Sequence, residues 1–479
     1  MPAGRNPGAS DEALDLSHPA TDFRIFVAGE LVVRQSLIAL AMLVGCCSAA
    51  PVLAAFPIGG LIGDTAGTLY GTTSGGGPDN IGTVFSIDNM GALTTLASFD
   101  GNTGAAPFAG LVRDHTGTLF GTTAAGGAQD FGTVFRLAND GAMTILVNFN
   151  GTNGRAPFAG LTLAADGALY GTTASGGAAG HGTLFRLDGV TLTTLLNFTP
   201  QTGGPFHNPV TVAPSGLVYG ATAAGGTQDR GTLFSVDGSG ALTVLANFNG
   251  ANGDTPVAGV IIDAAGTLYG TTLQGGTAGL GTLFRLDRQG SFTTLVNFDG
   301  VNNSRPIGGL IMDAAGTIYG TTSGDSAQSG AGTVFSLSSA GDFSTLVVFD
   351  GTIGLRPTGT LHIDAAGTLY GTLSAGGLRG AGSVYSLART GTLTTLVSFS
   401  DPSVPEPGSW LLIIIGFGLV GGAARRQRGL PGRPKRHRPR PSPEPSRGQS
   451  AAVAPAAISS LCRCLATAAM PAHLSVSSR

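Results

Sequence analysis

The stretch GTLYGTTSGGG, Gly67 to Gly77, returns seven times in one chain with small changes. The glycine of its LYGTT phrase falls at Gly71, Gly121, Gly171, Gly220, Gly270, Gly320 and Gly371, in steps of 50, 50, 49, 50, 50 and 51. So regular a period demands a repeat architecture. Each unit reads as four strand-like pieces. In the fifth these are AGVIID (Ala258–Asp263), TLYGTT (Thr267–Thr272), GTLFRLD (Gly281–Asp287) and FTTLVNF (Phe292–Phe298). The turns Asp263-Ala264-Ala265-Gly266 and Asp287-Arg288-Gln289-Gly290 carry Asp first and Gly fourth, as type I turns favour. Two hairpins then give one four-stranded antiparallel sheet.

One sheet cannot bury itself here. Leu283 and Phe284 are adjacent and both apolar, yet neighbours on a strand point to opposite faces. Cover is needed on both sides, and identical sheets stacked around an axis supply it. The expected fold is all-β: a seven-bladed β-propeller over residues 56–400 with four strands per blade. The 49-step is expected to arise from the short turn Asp188-Gly189-Val190, and the 51-step from an extra residue between Gly320 and Gly332. No strand is donated from one terminus to the other, which leaves open whether the ring closes by blade packing alone.

Composition agrees. Of 479 residues, charged side chains make up only 11% and Gly contributes 79, which fits a turn-rich β protein. Residues 56–404 carry 21 Asp and 11 Arg with no Glu or Lys, a net charge of −10. An acidic body argues against a nucleic-acid partner. The basic residues gather after Gly422, in a Pro/Arg/Ala-rich tail, residues 429–479, read as disordered. The four cysteines, Cys46, Cys47, Cys462 and Cys464, lie outside the repeats, so no disulfide framework or zinc site is expected.

The ends carry targeting features. Residues 1–33 are polar, and a start site placed too far upstream explains them best. Residues 34–55 read as an export signal: Arg34, the apolar Leu37–Val44 and a small-residue site ending at Ala54. Leu43-Val44-Gly45-Cys46 offers the alternative of lipidation at Cys46. In residues 401–428, Pro405-Glu406-Pro407, Trp410, an apolar run to Ala424 and Arg425, Arg426 and Arg428 follow one another. This combination resembles the PEP-CTERM sorting signal. The resemblance implies an exosortase as processing partner at the inner membrane and delivery to the cell surface. The apolar stretch of residues 410–424 is shorter than the ~20 residues of a comfortable span, which suits transient membrane contact as a helical anchor. An ordinary C-terminal transmembrane helix is the other reading. The tail that follows departs from that signal, which usually ends its protein.

The whole unit, GLIxDxAGTLYGTTxxGG…GTVFxLDxxGxLTTLxxFDG, resembles the GloVer-type tandem repeat family, whose members carry various surface anchors. That resemblance implies location and architecture but no reaction.

The candidate chemistry is sparse. Aromatic residues recur at one place in strands two, three and four of every unit, which reads as inter-blade core, not as a sugar-stacking ladder. The glycine pairs lack the Lys-Ser/Thr of a phosphate loop. Asp79, Asp130, Asp229 and Asp325, with Asp254 and the FDG aspartates, are expected on one rim. Such a rim suits Ca²⁺ or, preferably, solvated turn carboxylates, so no cofactor is expected. Blade four departs most from the consensus, which makes Phe206, His207 and Arg230 candidate contacts. No catalytic constellation appears. The expected role is a non-enzymatic interaction or structural module of the envelope or extracellular matrix. The alternatives are a polysaccharide-binding protein or a polysaccharide hydrolase or lyase.

Overall fold

The computed structural model describes residues 56–204, 209–300, 304–324 and 331–400. The expected export segment with Cys46 and Ala54, the Pro405–Arg428 segment and the tail lie outside them, as do Phe206, His207 and Asp325. The described residues form seven four-stranded antiparallel sheets, each in plain sequence order. They are the blades of a β-propeller. Among the described residues no helix is long and apolar enough to cross a membrane.

In the fifth blade the strands are Ile261–Ile262, Leu268–Thr272, Thr282–Leu286 and Phe292–Asn297. The innermost strand is much shorter than the expected Ala258–Asp263. Its lead-in runs backbone to backbone along the neighbouring blade: a Cβ on Gly259 would stand 2.5 Å from the Pro209 carbonyl oxygen. The same happens where Gly59 meets Ala109 and where Gly359 meets Gly59. Small residues at these places let seven chains converge on the axis. A bulge between Leu283 and Phe284 shifts the register of the outer strand, and Phe298 just beyond that strand is buried in the core.

Each letter of the repeated phrase has a separate job. Leu69 is buried between blades. The Tyr70 hydroxyl donates to Asp64 Oδ2 (3.1 Å), while Asp64 Oδ1 accepts from the Ala66 and Thr68 amides. Gly71 faces Phe85 across the sheet, and a Cβ there would stand 2.6 Å from the ring's Cζ. Thr72 Oγ1 donates to the Ala109 carbonyl of the next blade (2.7 Å). The Thr73 hydroxyl bonds that of Thr83 in the third strand (2.7 Å). The hydroxyls are buried, so these bonds prevent the cost of leaving polar groups unpaired.

The core repeats as the phrase does. The phenylalanine after each outer strand meets the third-strand aromatic of the following blade. Phe99 packs on Phe135 with ring centroids 5.1 Å apart, Phe149 on Phe185 at 5.5 Å and Phe248 on Phe284 at 5.3 Å. All of these rings are essentially solvent-free. Burying one is worth ~1.5–3 kcal/mol, and the edge-to-face geometry adds to that.

The ring closes without a strand clasp. Phe399 of the last blade packs on Phe85 of the first (5.5 Å). Thr372 Oγ1 donates to the Gly59 carbonyl (3.1 Å) and Thr358 Oγ1 to that of Ile58 (3.2 Å). Pro57 takes its place against Gly382, where a Cβ would stand 3.2 Å from its Cδ, as Pro157 does against Gly132. The Thr372 bond across the seam is of the kind that Thr72 and Thr122 make at their junctions, to the Ala109 and Ala159 carbonyls.

The uneven steps fall in connections. Asp188 pairs with Thr191 around a two-residue turn whose Gly189 has φ +57°. The paired threonines Thr322 and Thr333 are eleven apart, where other blades have ten.

Candidate binding face

The long loops, between strands two and three and between successive blades, share one face. At each junction the residue entering a blade lies against the loop of the blade before. The amide of Ala106 donates to the Ile81 carbonyl, that of Ala156 to Phe131, and that of Thr255 to Arg230 (2.7, 2.9 and 3.1 Å). Two residues further on, the chain reaches the axis. Phe108 and Phe158 occupy the same place in adjacent blades, with ring centroids 5.6 Å apart. Equivalent points of a seven-fold ring at that spacing lie roughly 6 Å from its axis. Ile58, Val257, Ile307 and Thr358 hold this place in other blades, all half-buried, so the axial mouth has an apolar collar.

Around the collar, side chains differ from junction to junction. Arg155 places its guanidinium over the Phe131 ring, 4.6 Å from the centroid. Two junctions on, Arg230 is ion-paired with Asp254. The candidate contact Arg230 is thus a brace between blades four and five.

The expected acidic rim does not converge. Asp130 Oδ1 accepts from the Gly126 amide (2.7 Å) and Asp229 Oδ1 from the Gly225 amide (2.8 Å), so both close their own loops. Asp79 is exposed and stands one place out of register: its neighbour Asn80 caps Gly76 (2.8 Å) as those aspartates cap theirs. Asp100 is tied to the Thr103 amide and hydroxyl, and Asp350 to those of Thr352. Among the described residues no three His, Cys, Asp or Glu side chains gather as a metal would require. The carboxylates do not fit a Ca²⁺ cage, because their oxygens are committed to separate loops.

On the opposite face, a groove of about 370 Å³ between blades two and three is lined by Asp114, His115, Phe120 and Leu163 through Gly167. Burial raises the Asp114 pKa, but hydrogen bonds from Thr116 and Thr118 and the nearby His115 outweigh it, leaving the carboxyl below its usual range. The Ala168 amide and Arg186 lower that of Asp166. A general acid needs the opposite displacement. A second hollow, of about 540 Å³, lies over Thr152, Gly177, Ala178, Thr194 and Asn197.

The sequence profile of the Gloeobacter/Verrucomicrobia repeat matches residues 51–211, 165–359 and 206–423. The chain belongs to the Gloeobacter/Verrucomicrobia repeat family. For this member of the family, a search among curated proteins finds no match. Solved structures similar to it include virginiamycin B lyase from Staphylococcus aureus, at 13% identity and TM-score 0.47 over 66% of this chain and 91% of that one. Puromycin hydrolase is similar at 16% identity and TM-score 0.48, over 76% of this chain and 56% of that one. A gluconolactonase from Xanthomonas campestris is similar at 14% identity and TM-score 0.37, over 58% and 82%.

Sequence reasoning missed Phe108, Phe131, Arg155 and Phe158. The available signal was variation: between a proline and a small residue in every blade but the fourth, one place reads Ile58, Phe108, Phe158, His207, Val257, Ile307, Thr358. The candidate His207 belongs to that series by register.

Proposed function

We propose that this propeller is an exported, surface-sorted, non-enzymatic interaction module of the cell envelope or extracellular matrix, working through its loop face. The observation that supports this reading is a division of labour. Polar groups of the repeated phrase are spent inside the scaffold, within a blade (Tyr70, Thr73) or between blades (Thr72, Thr122), whereas the places around the axial mouth change from one junction to the next. A scaffold with uniform joints and a varied face suits recognition better than chemistry. Export rests on the residues before Phe56 and the Pro405-Glu406-Pro407 segment, with an exosortase as processing partner.

Two measurements test it. Mass spectrometry of the protein recovered from cells is expected to show an N-terminus after Ala54 and processing near Pro405. An N-terminus at a lipidated Cys46 would replace signal-peptidase cleavage with lipoprotein processing, and an unprocessed chain would end the surface-sorting reading. Retention in the envelope fraction is expected to fall on substituting loop-face residues such as Phe158 and to survive Asp140→Ser on the opposite face. Equal retention would remove the loop face from the account.

A second reading, a glycan-binding protein, is favoured by one observation. Phe108 and Phe158 present a paired, half-buried aromatic surface beside an exposed arginine.

A further inference from the structure

We infer that the junction of blades two and three on the loop face binds an acidic polysaccharide, with Phe158 and Phe108 as the stacking surface and Arg155 as the carboxylate anchor. The inference rests on the glycan-binding reading and gives it a place and a ligand class.

Three observations carry it. Phe131 and Ala156 are joined by a backbone bond (2.9 Å), which ties the Phe131 loop to the segment that carries Arg155 and Phe158. Next, the Phe108 and Phe158 rings are tilted by 44° and partly open to solvent, unlike the sealed core rings. Finally, Arg155 is exposed and rests on the face of Phe131, while its counterpart two junctions on, Asp254, neutralises Arg230. An arginine held on a ring keeps its outer fork free for a planar carboxylate.

Together these features select the ligand. A pyranose offers an apolar C–H face to an aromatic ring, and a uronate adds one carboxylate per sugar. The acidic body repels duplex nucleic acid, with one charge per ~1.7 Å, more strongly than a polymer with one charge per sugar. An extended acidic peptide would offer the charge without the flat apolar faces.

The test is affinity electrophoresis of the full chain through gels containing polygalacturonate, neutral dextran or poly-glutamate, with melting curves for every variant. Retardation by polygalacturonate alone is expected, weakening as salt rises. Arg155→Ala is expected to weaken binding about tenfold, the loss of one charge-assisted contact. Arg155→Lys is expected to recover part of it. Phe158→Ala is expected to weaken binding comparably, and Phe108→Ser provides a second probe if Phe158→Ala fails to melt cooperatively. Arg230→Ala is expected to bind as the parent does. Equal retardation by poly-glutamate would overturn the inference in favour of an acidic protein segment. Polygalacturonate binding that ignores Arg155 and both phenylalanines would overturn the place while leaving the glycan reading. Absence of retardation by any polymer would overturn both, and the envelope-retention assay would then decide the loop-face proposal separately.

Discussion

The imidazole of His362, in the last blade, lies against Gly63, in the first, so closely that a Cβ on Gly63 would fall within contact of Nε2. The other blades place Arg113, Leu163, Val212, Ile262, Met312 or Ile363 where the first has Gly63. The one missing side chain thus faces a bulky ring across the seam.

Replacing Gly63 with isoleucine, the residue that blade five tolerates there, is expected to destabilise the fold by about 1–3 kcal/mol through overpacking. Denaturant unfolding measures it. Adding His362→Thr should recover most of the loss, since blades three and four carry Thr162 and Thr211 in that place. A double variant no better than the single would show that the two residues do not share the space.

The same histidine predicts a pH dependence. Burial pushes its pKa below the ordinary 6.5, and the neighbouring Asp364 opposes this only in part. The unfolded chain therefore takes up the proton first as pH falls. Stability is expected to be complete above about pH 6.5 and to decline below it, toward the lower folded pKa. His362→Thr should flatten that decline. The turn aspartates act in a separate window. Burial raises the Asp64 pKa, but bonds from Thr68, Tyr70 and Ala66, with the charge of Arg113, hold it below 3.8. Its contribution is present above that value and disappears under stronger acid. Unfolding free energies from pH 8 to 3 separate the two.

Tyr385 is the seventh member of a series otherwise made of phenylalanine. It is fully buried, its hydroxyl has no hydrogen-bond partner, and burial pushes its pKa far up. Tyr385→Phe is expected to stabilise the protein by about 1 kcal/mol, since it removes an unpaired buried oxygen without changing the ring. Unchanged or reduced stability would mean that the hydroxyl is satisfied.

Gly270→Ala tests the repeated phrase itself. The new Cβ would stand 2.6 Å from the Phe284 ring and 3.0 Å from Val260. A loss of about 1–3 kcal/mol is expected, against a slight gain if conformational freedom were the glycine's only role. Phe284→Leu in the same chain should soften the penalty.

The period, the four strands and the aromatic core were legible because packing repeats wherever blades repeat. Leu69, Phe85 and Phe99 mark the same layers in every unit. The threonines were less legible. Thr72 and Ala109 are 37 residues apart, and no local pattern announces that one stitches the other's blade. The rim aspartates were legible as turn carboxylates, but their partners were not, for a related reason. A sequence shows that Asp130 carries a carboxylate, but not that the carboxylate turns back to its own Gly126 amide. The candidate binding face was hidden because it lies where the repeat is irregular, and irregularity gives no periodic signal.

The seam joins residues 300 and 313 positions apart, Thr358 with Ile58 and Thr372 with Gly59. A chain emerging from the ribosome presents the receiving half of that joint first and the other half last. Six blades can stack as they appear, but the circle must wait for the seventh, and so distant a contact forms slowly. During that interval the flank of the first blade, with Leu61, Leu69 and Phe85, stays uncovered. Synthesis therefore has a vulnerable period whose length is set by the time needed to deliver the last fifty residues of the ring.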